Sequence, residues 1–425
     1  MILCMFLSTP CLTWGWRTAD DGTDLLMAMP NFLLGTASRR RMVALATSTA
    51  LFILVDSGFN VIGPLWATSD LGLDNAEWAF LRSVSEFGGF VSILAFGMLA
   101  ERLGSRWMSA IALVGAGLTL AGMSTGAGTV WLMAVLGAFL SIIYVSYNTL
   151  AQSVSSRRQS LANAIYRAAG ASAAIVAPAV ATHAGHMFGA YAPVLVAAAI
   201  VLGVAGLVIV FYSEPETTRD SSRSLAAALA VYRRGFTLRP LLSFIAVTRS
   251  FGVAVAAVGA FAALRFTREL GLGDQAFGLL CSIIAIGNLL AVLASGWVAD
   301  RLGPSRLLGL AWTGCGVTAM TMGLSNSLVA VIAAYALFVP LQSMCSVPLS
   351  LWSSRIAEAS GSDGPSQNAV FTVQKVFQSG VTMFAMALLG ALEPVVGMAT
   401  LIWCGGLLAL PMAIVVTRLG AAHKI

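Results

Sequence analysis

Six ionisable side chains stand inside long apolar stretches of this sequence, where a charge is costly and usually serves a function. They are the acids Asp56 and Glu86 and the bases Arg82, Arg167, Arg249 and Lys375. In an apolar environment a carboxyl group can take up and release a proton, and a cation can hold an anion. Because the bases outnumber the acids, this set favours an anionic or zwitterionic ligand.

Asp56 lies in the middle of the first apolar stretch and is the strongest candidate for a proton carrier. A structural hydrogen-bond acceptor and a direct substrate ligand are the alternatives for this carboxylate. Arg82 and Glu86 are one helical turn apart, so they share a helix face and can pair. We interpret them as a proton-sensitive or substrate-sensitive pair, with a buried structural salt bridge as the alternative. The predicted proton-coupling residues are therefore Asp56, Arg82 and Glu86.

Lys375 belongs to a polar stripe that also contains Asn368, Thr372, Gln378 and Ser379. These residues recur at helical spacing and so line one face of a helix. The stripe predicts a cavity wall, and hydrogen bonding between helices is the alternative. Aromatic residues in other stretches could form the facing wall or simply pack. The predicted substrate cavity comprises Asn60, Tyr144, Tyr147, Asn148, Arg167, Arg249, Gln374, Lys375 and Gln378.

The composition indicates that lipid surrounds most of this chain. Its residues are 58% hydrophobic and 10% charged, and the mean hydropathy is +0.87. A soluble protein of this size could not bury so much apolar surface. Apolar runs of roughly 18–25 residues suit helices, since barrel strands need only about 10 residues. The arginines lie in short loops and form no single basic face, so we expect no nucleic-acid partner.

We predict an all-α membrane protein with twelve transmembrane helices in two pseudo-symmetric six-helix bundles. The predicted spans are 42–66, 76–99, 107–125, 129–152, 161–184, 188–212, 241–264, 276–299, 307–324, 328–353, 367–390 and 394–417. The domain limits are a cytoplasmic tail at 1–41, bundles at 42–212 and 241–418, a cytoplasmic linker at 213–240 and a C-terminal tail at 419–425. Met27, Met29 or Met42 could be the true start.

The distribution of charge between loops predicts the orientation of the helices. Arginines concentrate in the loops on the same side as both termini, whereas the opposite loops hold mainly acids. Arg265 and Arg268 are the exceptions to this pattern. We expect both termini to be cytoplasmic, in the cytoplasmic (inner) membrane or a membrane derived from it.

A short charged hinge occurs twice, at residues 97–106 and 296–306, almost half the chain apart. Each copy runs from a small-residue helix end into a tight turn with an acid and two arginines. The first copy contains Gly97, Leu99, Ala100, Glu101, Arg102, Gly104 and Arg106, and the second keeps Gly296, Ala299, Asp300, Arg301 and Gly303. At the same offset Asp56 corresponds to Val255 and Glu86 to Ala285, so both acids are confined to the first half.

Over about residues 42–418, the twelve spans, the long central loop and the twin hinge resemble the major facilitator superfamily. Glu101 stands where the family signature usually has Asp. The resemblance implies two bundles that rock around a central site, and a latch that holds the outward-facing state. The latch residues would be Gly97, Glu101, Arg102, Gly104, Arg106, Gly296, Asp300, Arg301 and Gly303. Alternatively, the hinge arginines only keep their loops inside.

Asp56 followed by Asn60 and Pro64 is similar to a pattern in proton-coupled exporters of this family, with a spacing one residue shorter. The arginine signature of helix four and the Gly-Pro signature of helix five in drug–proton antiporters are absent, which weakens a multidrug role. We therefore expect a monomeric, proton-coupled secondary transporter of a small anionic or zwitterionic solute or ion. The alternatives are drug or metabolite efflux by proton antiport, a permease for a metal ion or its chelate such as iron, and a non-transporting sensor. No catalytic residue, cofactor or bound metal is predicted.

Overall fold

Twelve α-helices make up the part of the chain that the computed structural model describes, namely residues 36–153, 159–212, 236–346, 348–349, 352 and 367–422. The predicted all-helical fold is thereby confirmed. The helices are α1 Thr36–Ser69, α2 Asn75–Leu103, α3 Ser105–Met123, α4 Thr129–Ser153, α5 Gln159–Phe188, α6 Ala192–Tyr212, α7 Arg239–Leu264, α8 Asp274–Leu302, α9 Pro304–Leu324, α10 Leu328–Met344, α11 Gln367–Val396 and α12 Met398–Ala422.

Ten of the described helical segments are long and apolar enough to cross a membrane. In lipid, a helix satisfies its own backbone hydrogen bonds, which explains why the apolar runs all adopt this form. α10 is shorter but apolar, and α2 carries the charged pair Arg82 and Glu86. Large exposed side chains such as Trp131, Phe211 and Phe384 cover the outside, as expected for a surface that faces lipid.

Helix packing follows the internal repeat. In the first half α2 packs on α4, and α3 packs on both α4 and α6. The second half repeats this arrangement, with α8 on α10 and α9 on α10 and α12. The two halves meet where α2 packs on α11 and α5 packs on α8, and these two pairs are equivalent under the repeat.

The twin hinge adopts the same backbone conformation in both copies. Gly104 has φ 79° and ψ 147°, and Gly303 has φ 83° and ψ 147°. Residues with a side chain avoid this region. Each glycine ends one helix and starts the next, so the repeat in the sequence corresponds to a repeat in the structure.

The α2–α4 contact depends on two glycines. A Cβ at Gly137 would lie 1.8 Å from the carbonyl oxygen of Ser85, and a Cβ at Gly88 would lie 1.8 Å from that of Ala134. The two backbones therefore touch directly, as small residues permit in membrane helices. This contact fixes the position of α2 next to α4.

Most predicted boundaries differ from the observed ones by a few residues, and α1 begins at Thr36 where the sequence predicts residue 42. The eleventh helix continues through Pro394 to Val396, and the turn to α12 is made by Gly397 at φ 76°. Proline removes one backbone hydrogen bond, which costs less than leaving a loop unpaired in lipid. α10 ends at Met344, before the predicted limit, because the Cys345 N–H bonds to the carbonyl of Gln342 and tightens the chain into a turn.

Arg265, an exception to the loop-charge pattern, has a structural role. It lies at the start of a π-helical turn, Arg265–Glu269, and the residue is 2% exposed. It pairs with Glu269 and donates to the carbonyl oxygens of Met322 and Ser325. The guanidinium thus satisfies the open carboxyl end of α9.

Candidate substrate and proton site

A contact chain crosses from the first half to the second at the centre of the molecule. The phenol of Tyr144 in α4 donates a hydrogen bond of 2.7 Å to Oδ2 of Asp56 in α1. The ammonium of Lys375 in α11 lies 5.6 Å from the centre of the same phenol ring. A cation within about 6 Å of an aromatic face is attracted to it. Tyr144 is therefore in contact with an acid of one half and a base of the other.

Further charges surround this chain. Asp56 lies within electrostatic range of Arg82, Glu86 and Lys375. Lys375 is also within range of Arg249, which brings α7 into the group. We call Asp56, Arg82, Glu86, Arg249 and Lys375 the central cluster. Its residues come from four helices, α1, α2, α7 and α11.

The central cluster is not neutralised by direct pairing. Among the described residues, none of its acids makes an ion pair with one of its bases. The guanidinium Nε of Arg249 is buried and finds no hydrogen-bond partner among the residues that the structure describes. Arg82 lies 6.0 Å from the ring of Trp78 on its own helix. Such an arrangement leaves bases able to bind an anion and acids able to exchange a proton.

The polar stripe of α11 divides into two parts. Lys375 and Gln378 are half-buried, and Gln374 beside them is half-buried as well. Thr372 and Ser379 are buried, and a Cβ at Gly89 of α2 would lie 3.4 Å from the Ser379 hydroxyl. Across the described ranges, that hydroxyl has no hydrogen-bond partner. The buried part of the stripe therefore packs on α2, and the half-buried part contributes Lys375 to the central cluster.

Arg167 lies on the inner face of α5. Val176, Val180 and Met187 are exposed on this helix, and each is about half a turn around the helix from Arg167. Arg167 is itself exposed, on the side of α5 opposite these apolar residues. Asn60 is exposed one turn after Asp56 on α1.

Tyr147 is placed differently from what the sequence predicts. Its side chain is 0% exposed and its hydroxyl bonds to Ser48. Edge-on contacts to Phe52 and Tyr166 complete its surroundings. It packs α1, α4 and α5 together and does not reach the central cluster, because it is rotated by about 60° around the axis of α4 from Tyr144. The structure describes the backbone but not the side chains of Asn148 and Asn368.

Sequence reasoning missed Asn288 in α8. Its Oδ1 is buried, and no described residue makes a hydrogen bond to it. The exposed residues Leu279, Ile286 and Leu290 mark the lipid side of α8, and Asn288 lies on the opposite side of that helix. The sequence feature that could have revealed Asn288 is a single amide side chain within an apolar span.

One hinge arginine of each copy, Arg106 and Arg301, contacts a group in its own half. Arg106 donates to the carbonyl of Val210 at the end of α6. The guanidinium of Arg301 lies 3.8 Å from the ring centre of Trp297. The surroundings of the other latch positions lie outside the described part, so the predicted latch stays a prediction; these positions are Gly97, Glu101, Arg102, Gly296 and Asp300.

Polar contacts join the two halves at the face opposite the hinges. We call these contacts the distal closure, and it comprises Arg268 with Thr68 at 3.0 Å, Gln275 with His183 at 2.9 Å, Tyr191 with Asp274 at 2.9 Å and Asn75 with Glu393 at 3.2 Å. The partners are far apart in sequence, so no local pattern pairs them. Two sequence features could have indicated the closure. One is Arg268, which departs from the loop-charge pattern, and the other is the set of acids in these loops.

Tyr191 is the donor in one closure contact. Burial, together with its hydrogen bond to Asp274, raises the pKa of the Tyr191 phenol. The phenol therefore stays protonated and keeps donating at neutral pH. Asp70 accepts from the backbone N–H groups of Tyr191 and Ala192, which holds this turn at the start of α6.

A family model described as the Major Facilitator Superfamily matches residues 45–364. The chain belongs to this family. A crystal structure of the nucleoside transporter NupG has the same fold, with a TM-score of 0.69 at 13% identity over 91% of this chain and 99% of that one. A crystal structure of a mutant of that transporter gives a TM-score of 0.70 at 14% identity, over 89% of this chain and 99% of that one. A search of curated proteins finds no match.

Family and fold together define the class of protein. It is a multi-pass integral membrane protein and a secondary transporter, of the family that the repeated hinge indicated. Members of this class bind small-molecule substrates.

Proposed function

We propose that this protein carries a small anionic or zwitterionic solute by alternating access, coupled to protons through Asp56 and Glu86. The observation that supports this most is the contact from Asp56 through Tyr144 to Lys375, which joins the two halves at their centre. In transporters of this kind, substrate and coupling-ion sites lie near the midplane between the repeats. A solute bound there can influence both halves at once.

The bases support an anionic group on the solute. Lys375 and Arg249 belong to the second half, and within the described part of the chain the buried Nε of Arg249 is without a hydrogen-bond partner. An unsatisfied buried donor is costly, and a carboxylate or phosphate oxygen would satisfy it. The adjacent acids of α1 and α2 could hold an amino group, which explains why a zwitterion fits as well.

The acids support proton coupling. Asp56 accepts a hydrogen bond from a neutral phenol, and among the described residues it has no direct ion pair. Because this carboxylate makes no salt bridge, it can gain a proton without the loss of an ion pair. Its protonation changes the charge of the central cluster, and this change could favour one arrangement of the halves over the other.

The distal closure supports an assignment of the conformation. The halves are joined at the face opposite the hinges, and loop arginines place the hinges in the cytoplasm by the positive-inside rule. On this basis we propose a state that is closed on the non-cytoplasmic face, in a monomer with both termini inside. The proposed location is the cytoplasmic membrane or one derived from it.

Ligand binding to purified protein tests the solute class. Thermal shifts would be measured with a panel of organic anions, amino acids, drugs and metal ions, and with nucleosides because the compared fold belongs to a nucleoside transporter. We expect a stabilising anion or zwitterion whose shift disappears in Lys375→Ala, a loss of about 100-fold in affinity. Arg418→Ala removes an exposed cation at the end of α12 and should preserve the shift. Binding only by uncharged drugs, unaffected by Lys375→Ala, would contradict the proposed solute class.

A further inference from the structure

Tyr144 has contacts that the proposed function alone does not explain. Its hydroxyl binds the α1 acid and its ring face meets the α11 base. We propose that Tyr144 is a positioning residue that couples the protonation state of Asp56 in the first half to the position of Lys375 in the second. This inference rests on the proposed proton coupling, and it names the residue that transmits it.

The ring of Tyr144 is held in place. Phe52 of α1, which is 1% exposed, meets it edge-on at 5.3 Å between ring centres and 78° between planes. This is a favourable aromatic geometry. Because the ring is held in this way, it cannot move freely with Lys375. A change in the hydrogen bond of the Tyr144 hydroxyl therefore changes the attraction between the ring and the Lys375 ammonium.

The coupling follows from the chemistry of a phenol. When Asp56 is ionised, the Tyr144 hydroxyl donates its hydrogen bond to a full negative charge. This hydrogen bond raises the electron density of the phenol ring, and the ring then attracts the Lys375 ammonium more strongly. When Asp56 takes a proton from water, the hydrogen bond weakens and so does the hold on Lys375. No covalent bond between heavy atoms changes in this step.

The other charges near Asp56 belong to the same cluster. Arg82 and Glu86 face it from α2, Lys375 from α11, and Tyr144 is its hydrogen-bond partner from α4. Arg249 acts on Lys375 from α7. Because Asp56 and Lys375 make no direct ion pair among the described residues, Tyr144 is the residue that touches both.

Carbodiimide labelling provides a test that needs no known substrate. N,N′-dicyclohexylcarbodiimide reacts with protonated carboxyl groups, so labelling of Asp56 in the purified full-length protein should fall as the pH rises. Mass spectrometry of the peptide that contains Asp56 gives the midpoint. Tyr144→Phe removes a donor that stabilises the carboxylate, so we expect its midpoint to move up by about one pH unit.

Tyr147→Phe is the matched control. It removes the same hydroxyl one turn along α4, where Ser48 retains its own hydrogen bond to the carbonyl of Ala205. We expect its Asp56 midpoint to equal that of the unmodified protein. Coincident midpoints for Tyr144→Phe and Tyr147→Phe would overturn the proposal.

A double-mutant cycle tests the link to the second half. Lys375→Gln should also raise the Asp56 midpoint, and it should do so by less in a Tyr144→Phe background. Strictly additive shifts would show two independent interactions and would refute the coupling. Labelling does not depend on transport, so its outcome can be separated from a failure of the proposed function. That failure would appear as pH-driven uptake that persists without Asp56.

Discussion

The two places where the halves are joined differ in chemistry. The distal closure uses hydrogen bonds of ordinary length between polar groups at the edge of the membrane, several of them exposed. The central link uses an acid, a phenol ring and a base within the interior. A hydrogen bond at an exposed edge contributes about 1 kcal/mol, so the closure can open and re-form. Charges in an apolar interior interact more strongly and respond to a proton or a ligand.

This contrast indicates a division of roles. The central cluster would sense the solute and the proton, and the distal closure would hold one state with only a few kcal/mol. Both use α2, which carries Arg82 and Glu86 at the centre and Asn75 at the closure. A change in α2 should therefore disturb both regions, whereas a change in one contact should disturb only its own.

The largest effect is expected from Gly137→Ala. The added Cβ would lie 1.8 Å from the Ser85 carbonyl oxygen, so α2 must move away from α4. We expect a loss of about 2 kcal/mol of stability and weaker binding at the central cluster, measured by thermal unfolding with and without ligand. Gly203→Ala in α6 is the control because a Cβ there meets nothing within 4 Å. Equal melting temperatures for the two variants would rule out this close contact.

A smaller effect is expected from Arg268→Ala. This change removes a charge-assisted contact to Thr68 of α1 and leaves the central cluster intact. We expect the population ratio of closed to open states to fall by about tenfold. Spin labels at positions 71 and 395, both on the distal side, would report this as a longer distance by double electron–electron resonance. An unchanged distance distribution would mean that Arg268 does not hold the closure.

The smallest effect is expected from Tyr191→Phe. It removes one hydrogen bond to Asp274, with a cost of about 1 kcal/mol. Because the folded protein raises the pKa of Tyr191, this contribution is complete below about pH 10 and declines only as the pH rises further. Melting temperatures of the two proteins should therefore differ by a constant amount from about pH 6 to about pH 9. A difference that disappears within that range would exclude the phenol as the donor.

The sequence was sufficient for the fold because lipid imposes simple rules. Apolar runs of membrane length must form helices, and the repeated hinge indicated the correspondence between halves that the packing of α2 on α11 and α5 on α8 follows. The predicted ends of α10 and α11 were less accurate, since α10 stops at a turn made by the Cys345 N–H and α11 continues past Pro394.

The site was only partly predictable. Asp56 and Lys375 were evident as charges in apolar spans, and the structure brings them to the same tyrosine. Tyr144 and Tyr147 could not be separated from the sequence, because one helical turn decides which of them meets the cluster. The partners of the distal closure were also hidden, since pairs such as Asn75 and Glu393 are brought together only by the tertiary fold.

Uptake driven by a pH gradient tests the central claim most directly. In proteoliposomes supplied with a ligand from the binding panel, Asp56→Asn should abolish acceleration by the gradient, and Glu86→Gln should reduce it. Asp74→Asn is the matched control, since Asp74 is an exposed acid that caps α2 and asparagine caps a helix equally well. The account predicts full gradient-driven uptake in the unmodified protein and in Asp74→Asn only. Gradient-driven uptake that persists in the combined Asp56→Asn and Glu86→Gln variant would contradict it.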